Sequence, residues 1–231
     1  MKYNKMTIKE YNHKEWWKLH ELANTFSGHM YKILKEREGE NFEISQRIAT
    51  KKDIREQQMS AMFSGTSGDF YDFKEGTYTR LISKGFMGDV IMSDTPMEIR
   101  TNMDFLYQAH GNILIGGLGL GIILKILENM DNIKSVTVIE KNQEIIDLVL
   151  DQLNLPNNFK VIQSDIFEYK PKEIFDTIYF DIWTNICGDN WDEMKKLRKQ
   201  FKSSLDLTKK DWWIGSWRQE DCKELSYENS Y

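Results

Sequence analysis

Asn112-Ile-Leu-Ile-Gly-Gly-Leu-Gly-Leu-Gly121 is an apolar run that ends in glycines at 116, 117, 119 and 121, and a helical pattern, Ile122–Asn129, follows at once. A strand carries apolar side chains on both faces when helices cover both, and glycines are needed where the chain turns sharply with a ligand close to its backbone. The stretch therefore predicts a strand, a tight turn and a helix start, and with them a nucleotide-sized ligand site on an α/β sheet. Further on, Val136-Thr-Val-Ile-Glu140 reads as a second buried strand with an acid at its C-terminal end. Open α/β folds bind ligands at that end, and an acid there can grip a ribose.

The glycine spacing narrows the ligand. A dinucleotide turn needs G-x-G-x-x-G/A so that amides at a helix start hold a pyrophosphate. Counted from Gly117 the sixth position is Ile122, and counted from Gly119 it is Leu124, so neither frame fits. The spacing that fits is G-x-G-x-G over Gly117, Gly119 and Gly121. No Gly-Lys-Ser/Thr follows, which argues against a nucleoside triphosphatase.

The 231 residues are 40% apolar, enough for a buried core, and 31 basic against 36 acidic residues leave a net charge of −5 without a long basic block. No nucleic-acid partner is indicated by that balance. Cys187 and Cys222 form no C-x-x-C pair and the histidines at 13, 20, 29 and 110 lie far from both, so no metal site is evident and a reducing, cytoplasmic setting is expected. No apolar run approaches the length of a membrane span. Oligomeric state is not legible.

Three segments are expected: an N-terminal helical extension (1–75), a small β-hairpin with a connecting helix (76–110), and a Rossmann-like domain (111–231). Trp16, Leu19, Ala23, Phe26, Met30, Ile33 and Leu34 predict an amphipathic helix over 14–37, bent near Ser27-Gly28. Thr50 and Asp53 resemble a capping box that opens a helix through Met62. Residues 64–68 read as a loop, 77–83 and 88–93 as a hairpin around Lys84-Gly85, and 96–109 as a helix. Strands at 112–116, 135–139, 159–163, 175–181 and 211–216 then alternate with helices at 120–130, 142–154, 166–170 and 189–203. Such alternation predicts an α/β, doubly wound and mostly parallel sheet.

The G-x-G-x-G turn, the acid at 140 and a later acid in Phe159-Lys-Val-Ile-Gln-Ser-Asp165-Ile166 together resemble the class I methyltransferase fold, which binds S-adenosylmethionine (SAM). Relative to that fold, the usual C-terminal antiparallel hairpin is expected to be reduced or missing. The resemblance implies SAM as cofactor, with Gly117, Gly119 and Gly121 along it, Glu140 on its ribose, Asp165 on the adenine amine and the Ile166 amide on a ring nitrogen. Asp181 ends the strand Phe175-Asp-Thr-Ile-Tyr-Phe-Asp181 and is the candidate catalytic acid, placed to pair with the ammonium of the methionine part of SAM or with an incoming amine, whose proton it could take. Asp176 begins that strand, at the end away from the ligand. Trp183, Asn185 and Asp189 follow where acceptor-site walls form, although Trp183 serves equally as a packing residue.

Upstream, Tyr78-Thr-Arg-Leu-Ile-Ser-Lys-Gly-Phe-Met-Gly-Asp-Val-Ile-Met-Ser-Asp94, then Glu98, then Ile115-Gly-Gly, resembles spermidine synthase and its relatives over roughly residues 76–185. Two positions depart from that family, whose glycine turn has an acid where this chain has Gly119 and whose later loop has a second Asp where this chain has Thr184. The chain also looks like uncharacterised phage and bacterial methyltransferase-like proteins with Asp-Ile-Trp-x-Asn-Ile-Cys and a late Gly-Ser-Trp, here Asp181–Cys187 and Gly215–Trp217. Nucleobase chemistry is not indicated, because Asp181-Ile-Trp-Thr184 replaces the Asp/Asn-Pro-Pro-aromatic motif of DNA amino-methyltransferases and Ile186, not Pro, precedes Cys187. The first expectation is thus a SAM-dependent methyltransferase acting on a small-molecule or peptide acceptor. Aminopropyl transfer, SAM cleavage and non-catalytic SAM binding are the alternatives.

Overall fold

The computed structural model describes residues 13–64, 73–85 and 88–228. Its centre is a five-stranded, fully parallel sheet of β5 (Gly111–Gly116), β6 (Ile133–Glu140), β7 (Phe159–Gln163), β8 (Thr177–Phe180) and β9 (Trp213–Ser216), in the order β7-β6-β5-β8-β9. The chain steps outward from β5 through α5 (Ile122–Leu127) and α6 (Gln143–Leu153), then returns to the other side of β5 and continues through α7 (Gly188–Phe201). Adjacent parallel strands that leave in opposite directions, β5 and β8, open a crevice at their C-terminal ends.

Side-chain alternation sorts the core into two layers. Ile113, Ile115, Val136, Val138 and Tyr179 face a large cluster with α5 and α6, whereas Leu114, Ile139, Ile178, Phe180 and Ile214 face a second cluster with Leu197 and Phe201 of α7. Successive strand residues point to opposite faces, so the apolar runs read in the sequence fill both. After β9 the chain forms α8 (Gln219–Glu228), and no antiparallel strand follows among the described residues.

The N-terminal part holds a second sheet, larger than the hairpin expected there. The antiparallel strands β1 (Arg37–Glu38), β2 (Phe42–Ala49), β3 (Gly76–Ser83) and β4 (Val90–Ser93) pair in that order, and the expected hairpin supplies only β3 and β4. The division expected at residue 75 runs through this sheet, because all eight residues of β2 pair with β3. The helix expected over 14–37 is α1 (His13–Asn24), which ends well before Gly28, whose φ of +62° breaks helical geometry; a single 3-10 turn, Met30–Lys32, follows. The capping box is present: Thr50 N–H donates to Asp53 Oδ2 at 2.8 Å and Asp53 N–H to Thr50 Oγ1 at 3.3 Å, opening α2 (Lys51–Ser64). The loop expected at 64–68 lies, beyond Ser64, outside the described residues. The helix expected at 96–109 is split at Asn102 into α3 (Pro96–Thr101) and α4 (Met103–Gln108), and 166–170 forms a turn rather than a helix.

Polar contacts fix the small sheet to the large one. Glu144 of α6 accepts from the amides of Asn41 and Phe42 at 2.8 and 3.0 Å, and Arg37 forms a two-pronged pair with Asp151. Buried Asp94, just after β4, accepts from the amides of Met30 at 2.9 Å and Thr79 at 2.7 Å. Desolvation lifts its pKa to about 6 despite those bonds. Among the described residues no helix is long and apolar enough to cross a membrane.

Candidate active site

The glycine turn leaves β5 at the crevice. Gly117, Gly119 and Gly121 all have positive φ, +99°, +51° and +70°, in the region that side chains other than glycine rarely adopt. At Gly117 the constraint is also spatial, since a Cβ there would collide with the backbone carbonyl of Asp181. At Gly119 a Cβ would strike the side chain of Met92 from β4. Met92 sulfur lies 3.2 Å from the Leu120 amide, and the free volume above the turn is about 20 Å³, room for little more than a water.

Glu140 ends β6, as expected, and is buried. Its carboxylate accepts from the Leu118 amide on the glycine turn at 2.9 Å and from the Asn142 amide at 2.8 Å. It therefore latches the turn to β6, and a carboxylate oxygen that accepts one hydrogen bond can accept a second. Asp165 follows β7 and accepts from the Phe167 amide at 2.9 Å while Lys141 pairs with it at 2.9 Å, so these partners hold its pKa below the ordinary carboxylate range. Those contacts make it the cap of the turn that replaces the expected helix. Ile166 is buried in the second core cluster.

Asp181 lies just past β8 with its backbone amide bonded to the Gly116 carbonyl at 2.8 Å, and it lines the small space above Gly117 and Gly119. Some of the residue remains accessible, but Oδ2 is buried and has no hydrogen-bond partner. Its neighbour is Glu98 of α3, which nothing in the sequence singles out except the resemblance to spermidine synthase. Desolvation raises the pKa of both acids, Glu98 to about 8 and Asp181 to about 7, and the charge of Asp181 adds to the rise at Glu98. Tyr179, one strand pleat below Asp181, donates to Asn102 Oδ1 at 2.8 Å and stacks on Phe105 at 4.2 Å, closing the floor. Two neighbouring carboxyls whose pKa values desolvation raises hold a proton near neutral pH. Such a pair suits a cationic or protonatable partner.

The other expected site residues are not gathered here. Trp183 packs on the second cluster, with Phe180, and donates to Glu193 at 2.7 Å, which is its packing role. Asn185 gives its carbonyl to the Asn190 side chain at 2.8 Å and Asp189 is exposed in the first turn of α7; neither lines the space at Asp181. Asp176 sits at the opposite end of β8, bonded to the Asn112 amide and paired with Lys209. No cluster of three or more potential metal ligands occurs among the described residues.

Comparison of the sequence with family models and with curated proteins finds no match in either. Among solved structures, similarity is found to a DhpI–SAM–HEP complex at 18% identity, over 68% of this chain and 63% of that one, with a TM-score of 0.39. Similarity is also found to the N-methyltransferase NodS of Bradyrhizobium japonicum WM9 bound to S-adenosylhomocysteine, at 18% identity, 46% and 57% coverage and a TM-score of 0.36. A third, an S-adenosylmethionine-dependent methyltransferase from Clostridium acetobutylicum, is 17% identical over 42% of this chain and 39% of that one, with a TM-score of 0.33. The chain thus spans between two fifths and two thirds of those proteins. Strand order and the position of the glycine turn, rather than these overlaps, decide the architecture. It is a doubly wound, Rossmann-like α/β fold.

Proposed function

We propose that this chain is a SAM-dependent methyltransferase whose acceptor is a small molecule or peptide bearing an amine, working in the cytoplasm with its two cysteines as thiols. The observation that carries the reading is the unpartnered Oδ2 of Asp181, buried beside Glu98 at the strand-order reversal and facing the glycine turn. Three left-handed glycines that bring bare backbone to the crevice and the buried Glu140 carboxylate beside them support the cofactor reading, in which Glu140 takes the ribose hydroxyls and Asp165 with the Ile166 amide the adenine. The flexible Met92 side chain must swing off Gly119 to admit it.

When bound, SAM supplies an electrophilic sulfonium methyl. The chain's contribution is orientation and proton handling. Asp181 Oδ2 holds the acceptor nitrogen and takes its proton, and Glu98 positions the charge, since whichever acid ionises first makes the second harder to ionise. Glu140 keeps the glycine turn in place through Leu118.

Calorimetry with SAM, S-adenosylhomocysteine, NAD and ATP tests the cofactor, and comparable affinity for NAD, or no binding of SAM, would overturn it. Asp181→Asn keeps size and removes charge; turnover should fall about 100-fold or more, with affinity for S-adenosylhomocysteine little changed. Normal turnover would remove the proposed role. A small antiparallel sheet precedes the parallel one, and together with the resemblance to spermidine synthase it supports aminopropyl transfer as a second reading. Preferential binding of decarboxylated SAM would select it.

A further inference from the structure

The outer face of the N-terminal sheet holds a larger cavity than the crevice does, about 240 Å³, and the proposed reaction makes no use of it. The volume is that of roughly eight waters in the liquid, enough for a small organic molecule. Cross-strand pairing builds one wall: Ser45 lies opposite Arg80 and Arg47 opposite Tyr78, all on the face turned away from Ile44 and Leu81 in the core. Phe73, stacked on Tyr78 at 4.6 Å, and Met97 of α3 add apolar surface. The cavity is separate from the crevice, because Ser93 of β4 lines it while the adjacent Met92 points at Gly119.

Its charges do not balance. Arg47 pairs with Asp53 at 3.3 Å, and that carboxylate is the one held by the Thr50 cap. Arg80 has only a bond from Nη2 to Ser45 Oγ at 3.1 Å; its Nε is buried without a partner, and no acid among the described residues pairs with it. A guanidinium donor shut away from water and from any acceptor is unfavourable unless something fills its place. A carboxylate fits the guanidinium edge and carries the single negative charge that is lacking.

We propose that this cavity is a binding site for a small carboxylate with an apolar or aromatic body, the acid on Arg80 and the body against Phe73, Tyr78 and Met97. The inference does not depend on the reaction proposed for the crevice. The test uses the full chain with benzoate, 4-phenylbutyrate, phenyl phosphate and benzyl alcohol, followed by calorimetry and thermal unfolding. At least one of the two carboxylates should bind and raise the melting temperature, and the neutral alcohol should do neither. Arg80→Met should weaken carboxylate binding at least tenfold while leaving the unliganded melting temperature unchanged or higher, since it removes a buried donor that has no partner. Met97→Glu, a change at a half-exposed rim position, should block binding without unfolding the chain and serves if Arg80→Met does not fold. Absence of binding by both carboxylates at millimolar concentration, or equal binding by either variant, would overturn the site. Tighter binding of phenyl phosphate than of both carboxylates would overturn the assignment of ligand class.

Discussion

The paired acids make stability depend on pH in a direction opposite to that of ordinary paired carboxylates. Asp181 is lifted from 3.8 to about 7 and Glu98 from 4.5 to about 8, desolvation being the main cause at both. In the unfolded chain both ionise near their ordinary values, while the folded chain keeps protons on the pair. Between those limits the folded state binds more protons, so stability is greatest below the unfolded pKa and is lost as pH rises toward the folded one. A tenfold difference in proton affinity between the folded and unfolded chain corresponds to about 1.4 kcal/mol. The two protons leave in steps that belong to the pair, and a buried site relaxes around charge, so the loss between about pH 5 and about pH 8 should be roughly 2–4 kcal/mol rather than the sum for two isolated acids. Asp94 contributes with the same sign but is exhausted near its own value of about 6. Asp165, Asp176 and Asp151 are depressed by their partners and act with opposite sign at lower pH. Urea unfolding followed by tryptophan fluorescence, from about pH 6 upward to about pH 8, therefore isolates the pair. Asp181→Asn should flatten the decline and make the protein more stable than the parent at the upper end, and Asp181→Asn with Glu98→Gln should abolish it. A double variant that keeps the parent's slope would refute the assignment.

Glu140→Ala should weaken SAM binding by about 10- to 150-fold in calorimetry if the acid grips ribose. It should also lower stability by about 1–3 kcal/mol, measured by urea unfolding, because the Leu118 and Asn142 amides lose their acceptor. Asp94→Ala should cost about 2–4 kcal/mol in the same measurement, since the amides of Met30 and Thr79 are left unpaired in a buried site. Gly117→Ala should destabilise by about 1–3 kcal/mol or more on the left-handed φ alone, before the collision with Asp181 is counted, and the melting temperature checks it.

How far the sequence reveals this arrangement differs by element, for physical reasons. The five parallel strands are legible because a strand covered on both faces must be apolar throughout, and the run at 112–116 meets that condition without ambiguity. Phe42–Ala49 is not: Glu-Ile-Ser-Gln-Arg-Ile alternates weakly, its outer face carries Arg47 and Ser45, and its most deeply buried residue, Ile44, depends on Leu81 of a partner strand more than thirty residues away. Helix α1 is shorter than its apolar spacing predicts because Met30 and Leu34 continue a pattern that helical and 3-10 turns satisfy alike, and Gly28 decides between them.

The site divides in the same way. Glu140 and Asp181 stand at strand ends, where topology fixes direction, so position in the chain is enough to place them. Glu98 stays hidden because its significance arises only when α3 folds over the end of β8, and an acid in the first turn of a short helix is, by sequence, an ordinary solvated residue. Its position beside Asp181 has a structural origin. Asn102 breaks the 96–109 segment into two helices and receives the Tyr179 hydroxyl, while Thr101 accepts from the Trp217 indole at 3.1 Å. These two contacts tie α3 to the C-terminal ends of β8 and β9. The same break that defeats a simple helix reading therefore carries Glu98 to Asp181, and the chemistry of the crevice depends on a residue that belongs, in sequence, to the N-terminal half of the chain.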